Sequence, residues 1–287
     1  VPLVATFYDF NFKRFGTLDA PSRAVMEATV PAWLERCEPV VSTAFTAGEL
    51  ASYWPAAGSV TVAPPGVRPA QRTEAPGEWE ALVAARGIRE PYWLNVGWIA
   101  PHKNQAVLME ALAMAREHGV ATHLYLAGPN GGQLQDPDTA EAPYVRHLAW
   151  VAERLGLRHG VDFTGLGGVG DRELELLYCH AAALVMPTQY EGFGFPTLEA
   201  VSLGCPVACS DIPPLVETLE VVGAAAELFD PDEPIALAAA LERLPRRDPA
   251  ARARLEASAA EVPRRFSWSL AGHQYFGAFA RAMAGGG

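Results

Sequence analysis

Two glutamates eight positions apart, Glu191 and Glu199, bracket the run Gly192-Phe193-Gly194-Phe195-Pro196-Thr197-Leu198. The apolar stretch Ala181 to Pro187 precedes it and Ala200-Val201-Ser202-Leu203-Gly204 follows, which predicts a strand, a glycine turn and a helix. Glycine lets backbone come close to a ligand, and Pro196 suits a first helical turn, where its missing N–H costs nothing. Free N–H groups and the positive end of the helix dipole then face whatever fills the turn, so a phosphate fits there. Carboxylates repel phosphate. Two of them beside such a turn make sense when the phosphate carries hydroxyl-rich groups on both sides, which describes a nucleotide sugar with ribose at one end and hexose at the other. The plain alternative is a pair of solvated glutamates; the glycines, the proline and the preceding strand weigh against it.

Positive charge for such a ligand has to be local, because the chain has a formal net charge of −11. It holds twenty arginines but two lysines, Lys13 and Lys103. Lys103 follows Gly97-Trp98-Ile99-Ala100-Pro101-His102 beyond an apolar strand, and the pattern predicts it at a helix N-terminus facing the same crevice as Glu191. A compact ammonium there suits a diphosphate. Other strand ends carry weaker signals. Gly128-Pro129-Asn130-Gly131-Gly132 reads as a turn that could border a pocket. Gly165-Leu166-Gly167-Gly168-Val169-Gly170 matches G-x-G-x-x-G, with Glu191 about twenty residues further on, as the dinucleotide fingerprint asks. Against an NAD-dependent oxidoreductase, Asp171-Arg172-Glu173 caps the next helix and puts carboxylates where a pyrophosphate would sit, and the match lies in the third βα unit rather than the first. Asp211 starts a short helix whose Glu217 is either structural or a lining of the cleft.

The elements that must position these residues form a regular alternation. Strands are predicted at Tyr92 to Gly97, Thr122 to Ala127, Val161 to Thr164, Ala183 to Pro187, Val207 to Ser210 and Ala226 to Phe229. Helices fall between them at about 103–118, 141–156, 171–180, 196–204 and 213–219, then at Ile235 to Arg243 and Pro249 to Glu261, with a last helix, capped by Ser267 or Ser269, running to about Met283. This is the pattern of an α/β, Rossmann-like, doubly wound parallel sheet, with ligands at the carboxyl ends of its strands. Upstream, a strand at Pro2 to Phe7, an aromatic-rich loop to Gly16, a helix from Pro21 to Arg36, extended Pro39 to Thr43, a helix at Ala44 to Tyr53 and extended Val60 to Ala63 are too few for a complete domain of the same kind. The expected organisation is therefore an incomplete first domain over 1–72, a ligand-binding domain over 73–266 and a closing helix over 267–287, with Arg68 to Gly87 as a polar linker. Gly285-Gly286-Gly287 reads as a frayed or added end.

At 287 residues, half of them apolar, the chain has ample material for a core. No run approaches the ~20 apolar residues of a membrane span and no secretory leader opens the chain, so the expectation is a soluble, cytoplasmic protein. Scattered acidic residues give no footprint for nucleic acid or anionic lipid, and peripheral membrane association leaves no mark of its own. Cys37, Cys179, Cys205 and Cys209 show no metal-ligand spacing and read as reduced, buried side chains; with seven dispersed histidines, no metal site is proposed.

Taken together, these motifs resemble the GT-B glycosyltransferases of family 4, especially their mannosyltransferase-like branch. Glu191 to Glu199 is similar to the family's E-x7-E motif, with Gly204-Cys205-Pro206-Val207 as its continuation. Gly97 to Asn104 resembles G-x-x-x-P-x-K-N, Phe163-Thr164-Gly165 with Asp171-x-Glu173-Leu174 another family step, and Phe266-Ser267-Trp268 the start of a final helix that crosses back onto the first domain. The resemblance implies a GT-B fold of two domains and a retaining transfer of a hexose, mannose in that branch, from a GDP- or UDP-sugar to an acceptor hydroxyl, without a metal or other cofactor. Glu199 would bind the ribose, Glu191 the donor sugar and Lys103 the diphosphate. The backbone from Gly192 to Leu198 would cradle phosphate and sugar, Leu166 would lie near the base, and Gly97 and His102 would border the donor. Trp98 and His102 stand where the family often has arginine, and Tyr8, before Asp9, where it has a histidine. A fragment that binds nucleotide sugar without turnover is the other outcome, because the glycine-rich loop of the first domain and most acceptor contacts are not in this sequence.

Overall fold

The protein is described by a computed structural model over residues 3–16, 19–55, 58–120, 122–244 and 249–284. Parallel strands make two sheets. The first is ordered β1-β2-β3, from β1 (Leu3–Phe7), β2 (Cys37–Val41) and β3 (Thr61–Val62). The second runs β6-β5-β4-β7-β8-β9, from β4 (Tyr92–Val96), β5 (His123–Ala127), β6 (Phe163–Gly167), β7 (Ala183–Met186), β8 (Val207–Ser210) and β9 (Glu227–Phe229). The helices are α1 (Asn11–Arg14), α2 (Ala20–Leu34), α3 (Ala44–Tyr53), α4 (Glu78–Arg86), α5 (Gln105–Glu117), α6 (Pro143–Arg154), α7 (Asp171–His180), α8 (Phe195–Leu203), α9 (Pro213–Val221), α10 (Pro234–Arg243), α11 (Pro249–Arg265) and α12 (Trp268–Ala284). No helix among the described residues is long and apolar enough to cross a membrane.

Alternation along each strand builds two cores on the larger sheet. Tyr92, Leu94, Leu184 and Met186 point into a layer with Leu177, Leu198, Val201 and Leu215 of α7, α8 and α9. Trp93, Leu124, Leu126 and Val185 point the other way, onto Leu108 and Leu112 of α5, Leu148 of α6 and Leu237 of α10. Both faces are therefore covered, as a parallel sheet requires. The chain winds outward from β4 through β5 to β6, then returns to lay β7 on the other side of β4. That reversal leaves a crevice beyond the carboxyl ends of β4 and β7, the place where doubly wound sheets take ligands. On the smaller sheet Phe7, Phe10, Val30, Val41 and Leu50 form a core with α2 and α3, while Ala278 and Tyr275 of α12 pack on Val40, Ala63 and Val4 from the opposite side. Ser267 Oγ accepts from Leu270 N at 3.2 Å and so caps α12.

Three sequence readings change. The polar linker contains α4, because Trp79, Leu82 and Val83, three and four residues apart, give one apolar face that packs into the large core. Trp79 lies flat on His180 with ring centroids 3.9 Å apart. The cysteines are all free, but Cys179 is exposed and Cys37 half-buried; burial pushes the thiols of Cys205 and Cys209 up to about 12. Asp171 is the first residue of α7 rather than its cap, and pairs with Arg68. Pro2 and Gly285-Gly286-Gly287 lie outside the described residues.

Gly165 tests what the G-x-G-x-x-G run is for. It lies within β6, at the sheet edge, and a Cβ there would sit 2.0 Å from the carbonyl oxygen of Gly131. Gly168 faces open space. Gly165→Ala is expected to destabilise the protein by about 2 kcal/mol or more and Gly168→Ala by no more than about 0.5 kcal/mol, measured by urea unfolding. Equal, small effects would argue against a packing role.

Candidate functional site

The crevice is made by stitching the loops after β4 and β7 together. Beyond β4, Asn130 holds the backbone of Ile99 from both sides: its Oδ1 accepts from Ile99 N at 2.8 Å and its Nδ2 donates to Ile99 O at 2.9 Å. The Gly128–Gly132 turn thus braces the lysine loop. Pro101–Lys103 then form a single 3-10 turn, and Asn104, in the left-handed conformation at φ 54°, redirects the chain into α5. Lys103 accordingly ends a turn before α5 instead of opening the helix. From the β7 side, Thr188 Oγ1 and Gln189 N both donate to the carbonyl of His102, at 3.0 and 2.8 Å. This junction sets Lys103 Nζ 2.6 Å from Glu191 Oε1, with 17% and 12% of the two side chains exposed. A pair so shielded is stronger than a surface ion pair, and either group alone would be poorly solvated.

Immediately after Glu191 the chain turns into α8. A Cβ on Gly192 would meet the carbonyl oxygen of Tyr8 at 2.1 Å, so only glycine allows this approach to the β1–β3 unit. Gly194 precedes α8, Pro196 sits in its first turn, and no side chain among the described residues caps the helix. Thr197 Oγ1 turns back to donate to Gly194 O at 2.6 Å. Phe193 and Leu198 are buried in the large core, Phe193 against Phe266 and the more exposed Phe195. What faces the crevice is an uncapped helix N-terminus next to an ammonium and a carboxylate, a set that can hold an anion and a neighbouring hydroxyl.

Glu199 stands apart from that pair, on the α7 side of α8. Tyr178 Oη donates to its Oε2 at 3.2 Å, and a small cavity beside it is lined by Arg68, Leu174, Glu175, Tyr178 and Ser202. Burial raises the Glu199 carboxyl above its ordinary 4.5, against the opposing pull of Tyr178 and Arg68. Leu166, at the end of β6, packs at the margin of the same core. Gly97 lies under Lys103, with its would-be Cβ 3.9 Å from Lys103 Cε. Burial and the adjacent Lys103 hold His102 down at about 4, so its ring is neutral at pH 7; Asn11 Nδ2 lies 3.2 Å from His102 Nε2.

Several participants leave no motif in the sequence. Arg68 emerges from the segment read as linker and pairs with Asp171 and Glu175 beside Glu199. Glu217, left open between two roles, reaches from α9 to the N-terminus of α3, where its two oxygens accept from Ala44 N at 2.8 Å and Phe45 N at 3.2 Å. Tyr190 enters the smaller unit, accepting from Phe10 N at 2.7 Å and donating to Glu49 Oε2 at 2.5 Å. Each depends on partners more than 100 positions away. The aromatic Tyr190 beside Glu191 was the one signal within reach.

A family profile described as glycosyl transferases group 1 matches residues 83–262. The O-antigen chain mannosyltransferase B of Escherichia coli is 35% identical over 149 residues, which is 52% of this chain and 35% of that protein. A D-inositol 3-phosphate glycosyltransferase of Salinispora tropica is 31% identical over an alignment of 304 residues, covering 99% of this chain and 60% of that one. The chain thus spans 35% to 60% of the length of these curated relatives. Among solved structures, sucrose-phosphate synthase from Thermosynechococcus elongatus superposes with a TM-score of 0.76 at 21% identity, over 99% of this chain and 68% of that one. Anabaena HepE in complex with UDP-glucose gives 0.73 at 20% identity, over 99% and 72%. These likenesses carry the GT-B fold. With the profile covering most of the chain, the protein belongs to the group 1 glycosyl transferases.

Proposed function

We propose that this chain carries the donor half of a retaining hexosyltransferase, which moves a sugar from a nucleoside diphosphate to an acceptor hydroxyl. The observation that carries it is the Lys103–Glu191 pair at the strand-order reversal, beside the uncapped N-terminus of α8. On arrival of the donor the diphosphate takes the Lys103 ammonium and the first-turn N–H groups of α8, and Glu191 turns to a hydroxyl of the sugar. Glu199 accepts from the ribose hydroxyls, with the base toward Leu166. As the bond from the sugar to phosphate breaks, charge grows on the departing oxygen, where Lys103 and the helix N-terminus already point. The acceptor hydroxyl attacks from the same face and its proton leaves with the phosphate. A relative named as a mannosyltransferase, another named as a D-inositol 3-phosphate glycosyltransferase and a neighbour in complex with UDP-glucose support a nucleotide-sugar donor; the resemblance to the mannosyltransferase-like branch points to GDP-mannose, with a UDP-sugar as the alternative. The other reading is donor binding without turnover.

Thermal shift with UDP-glucose, GDP-mannose and NAD separates these readings. A sugar nucleotide is expected to raise the melting temperature; no shift with either, or a shift with NAD alone, would sink the proposal. Release of nucleoside diphosphate then distinguishes transfer from binding. Lys103→Ala is expected to lower kcat/KM by about 10² to 10³-fold, as loss of a preorganised charge at the leaving group does, and Glu191→Ala to abolish transfer at some cost in stability, because Lys103 is left without its partner.

Glu199 adds a dependence on pH. Its folded-state pKa is raised by burial, so the folded protein loses stability as pH rises from 4.5 through the raised value. Glu199→Gln cannot ionise and escapes that loss. The unliganded variant should therefore melt above wild type at pH 7 and level with it below pH 4, yet bind donor about 10-fold or more weakly, because an amide replaces a charged acceptor. Melting curves across pH, with and without UDP-glucose, check both halves; a variant less stable than wild type at pH 7 would contradict the assignment.

A further inference from the structure

Glu191 is pinned through both of its peptide neighbours by the β1–β3 unit, while its own carboxylate reaches Lys103 in the other. On one side, Tyr190 Oη is wedged between Phe10 N and Glu49 Oε2, at 2.7 and 2.5 Å. The rings of Phe15 and Phe45 stand 6.0 and 6.1 Å from the Tyr190 ring, and Arg14 lies over its face at 5.6 Å. On the other side, the Gly192 carbonyl accepts from Ser42 Oγ and Thr43 Oγ1, both at 3.0 Å. Ser42 and Thr43 are buried at the start of α3, and Glu217 fastens the same helix end to α9. A residue whose neighbours are held, one by its side chain and the other by its carbonyl, can move little beyond its own side-chain rotations. The separation of Glu191 from Lys103 is thereby decided by groups that touch neither carboxylate nor ammonium.

We infer that Tyr190, held by Glu49, and Ser42 with Thr43 are positioning residues that hold the Glu191 carboxylate against Lys103 and so set the geometry of sugar transfer. The inference rests on the proposed function for its last step, but its geometric part has its own readout. A shift of about 1 Å at a reacting centre can lower turnover about 10²-fold without altering binding elsewhere. Under the proposed function most of the donor affinity comes from Lys103, the N-terminus of α8 and Glu199, whose backbones are placed by contacts other than these anchors.

The test uses Ser42→Ala and Tyr190→Phe in the full chain, each removing one anchoring hydroxyl with little change in volume. Because there are two lysines, reductive methylation with 13C-formaldehyde places two side-chain signals in the NMR spectrum, and Lys103→Arg assigns them. In both variants the Lys103 signal is expected to shift. Nucleoside diphosphate release from UDP-glucose or GDP-mannose should fall about 10- to 100-fold in kcat, with the donor KM within about threefold. An unmoved Lys103 signal in both variants, or a raised KM at unchanged kcat, would overturn the inference. If Tyr190→Phe fails to fold, Ser42→Ala decides. If the wild-type chain binds neither donor while the Lys103 signal still moves in the variants, the positioning stands and the transfer reading falls.

Discussion

The contact between Lys103 and Glu191 is the constraint on which the rest depends. A largely buried ammonium and carboxylate 2.6 Å apart are stable only if both loops that carry them are held to within a few tenths of an ångström. The fold spends many interactions on doing so. Asn130 clips the lysine loop, Thr188 and Gln189 tie the two loops through the His102 carbonyl, and Gly165 lets the neighbouring turn approach β6. Without a ligand the two charges satisfy each other, so the site is neither empty of partners nor collapsed. A diphosphate with a sugar attached offers each of them a replacement, which makes exchange of partners, rather than creation of new charge contacts, the step that binding would drive.

Much of the fold was legible because its signals are local. β8, α3 and α7 begin and end where the apolar period and the flanking residues put them; β4, β5, β7 and β9 differ by a residue, and β6 starts two residues and ends three residues later than its predicted bounds. The order of those strands was not legible: a β/α alternation says that a sheet is parallel, and the reversal between β4 and β7 arises from packing both faces. α4 was hidden for a related reason. Its apolar face is three residues wide, and the glutamates and arginines around it make the composition read as linker until Trp79 is seen on His180. The free thiol of Cys179 misleads likewise, since its apolar neighbours Leu177 and Tyr178 face the core while it faces out.

In the site, residue type and spacing revealed the charges but not their pairings. Glu191, Glu199 and Lys103 stood out from glycine spacing, strand ends and the scarcity of lysine. That Glu191, in the loop before α8, meets Lys103 while Glu199, on α8, meets Tyr178 depends on how the loops after β4 and β7 join and on which side of α8 faces α7, which no spacing encodes. The anchors of the loop were out of reach altogether, because Ser42, Glu49 and Glu217 look like ordinary cap and surface residues until the two sheets are docked. The same holds for G-x-G-x-x-G: its first glycine answers to a backbone oxygen of a neighbouring loop, a need that a phosphate-binding pattern can mimic by chance.

The two carboxylates are kept in different electrostatic conditions, and the difference suits an acidic protein that must accept an anion. Net charge is −11, yet over distances beyond about 8 Å salt screens it, so what an incoming diphosphate meets is the local set. Glu191 is neutralised by Lys103, which removes its repulsion at the place where phosphate would come nearest. Glu199 is instead buried against Tyr178 and near Arg68, and burial raises its carboxyl above its ordinary range. Under the proposed function, a ligand that supplies an anion for Lys103 and hydroxyls for the glutamates together would satisfy all three groups, whereas a bare phosphate would free Glu191 without giving it a partner.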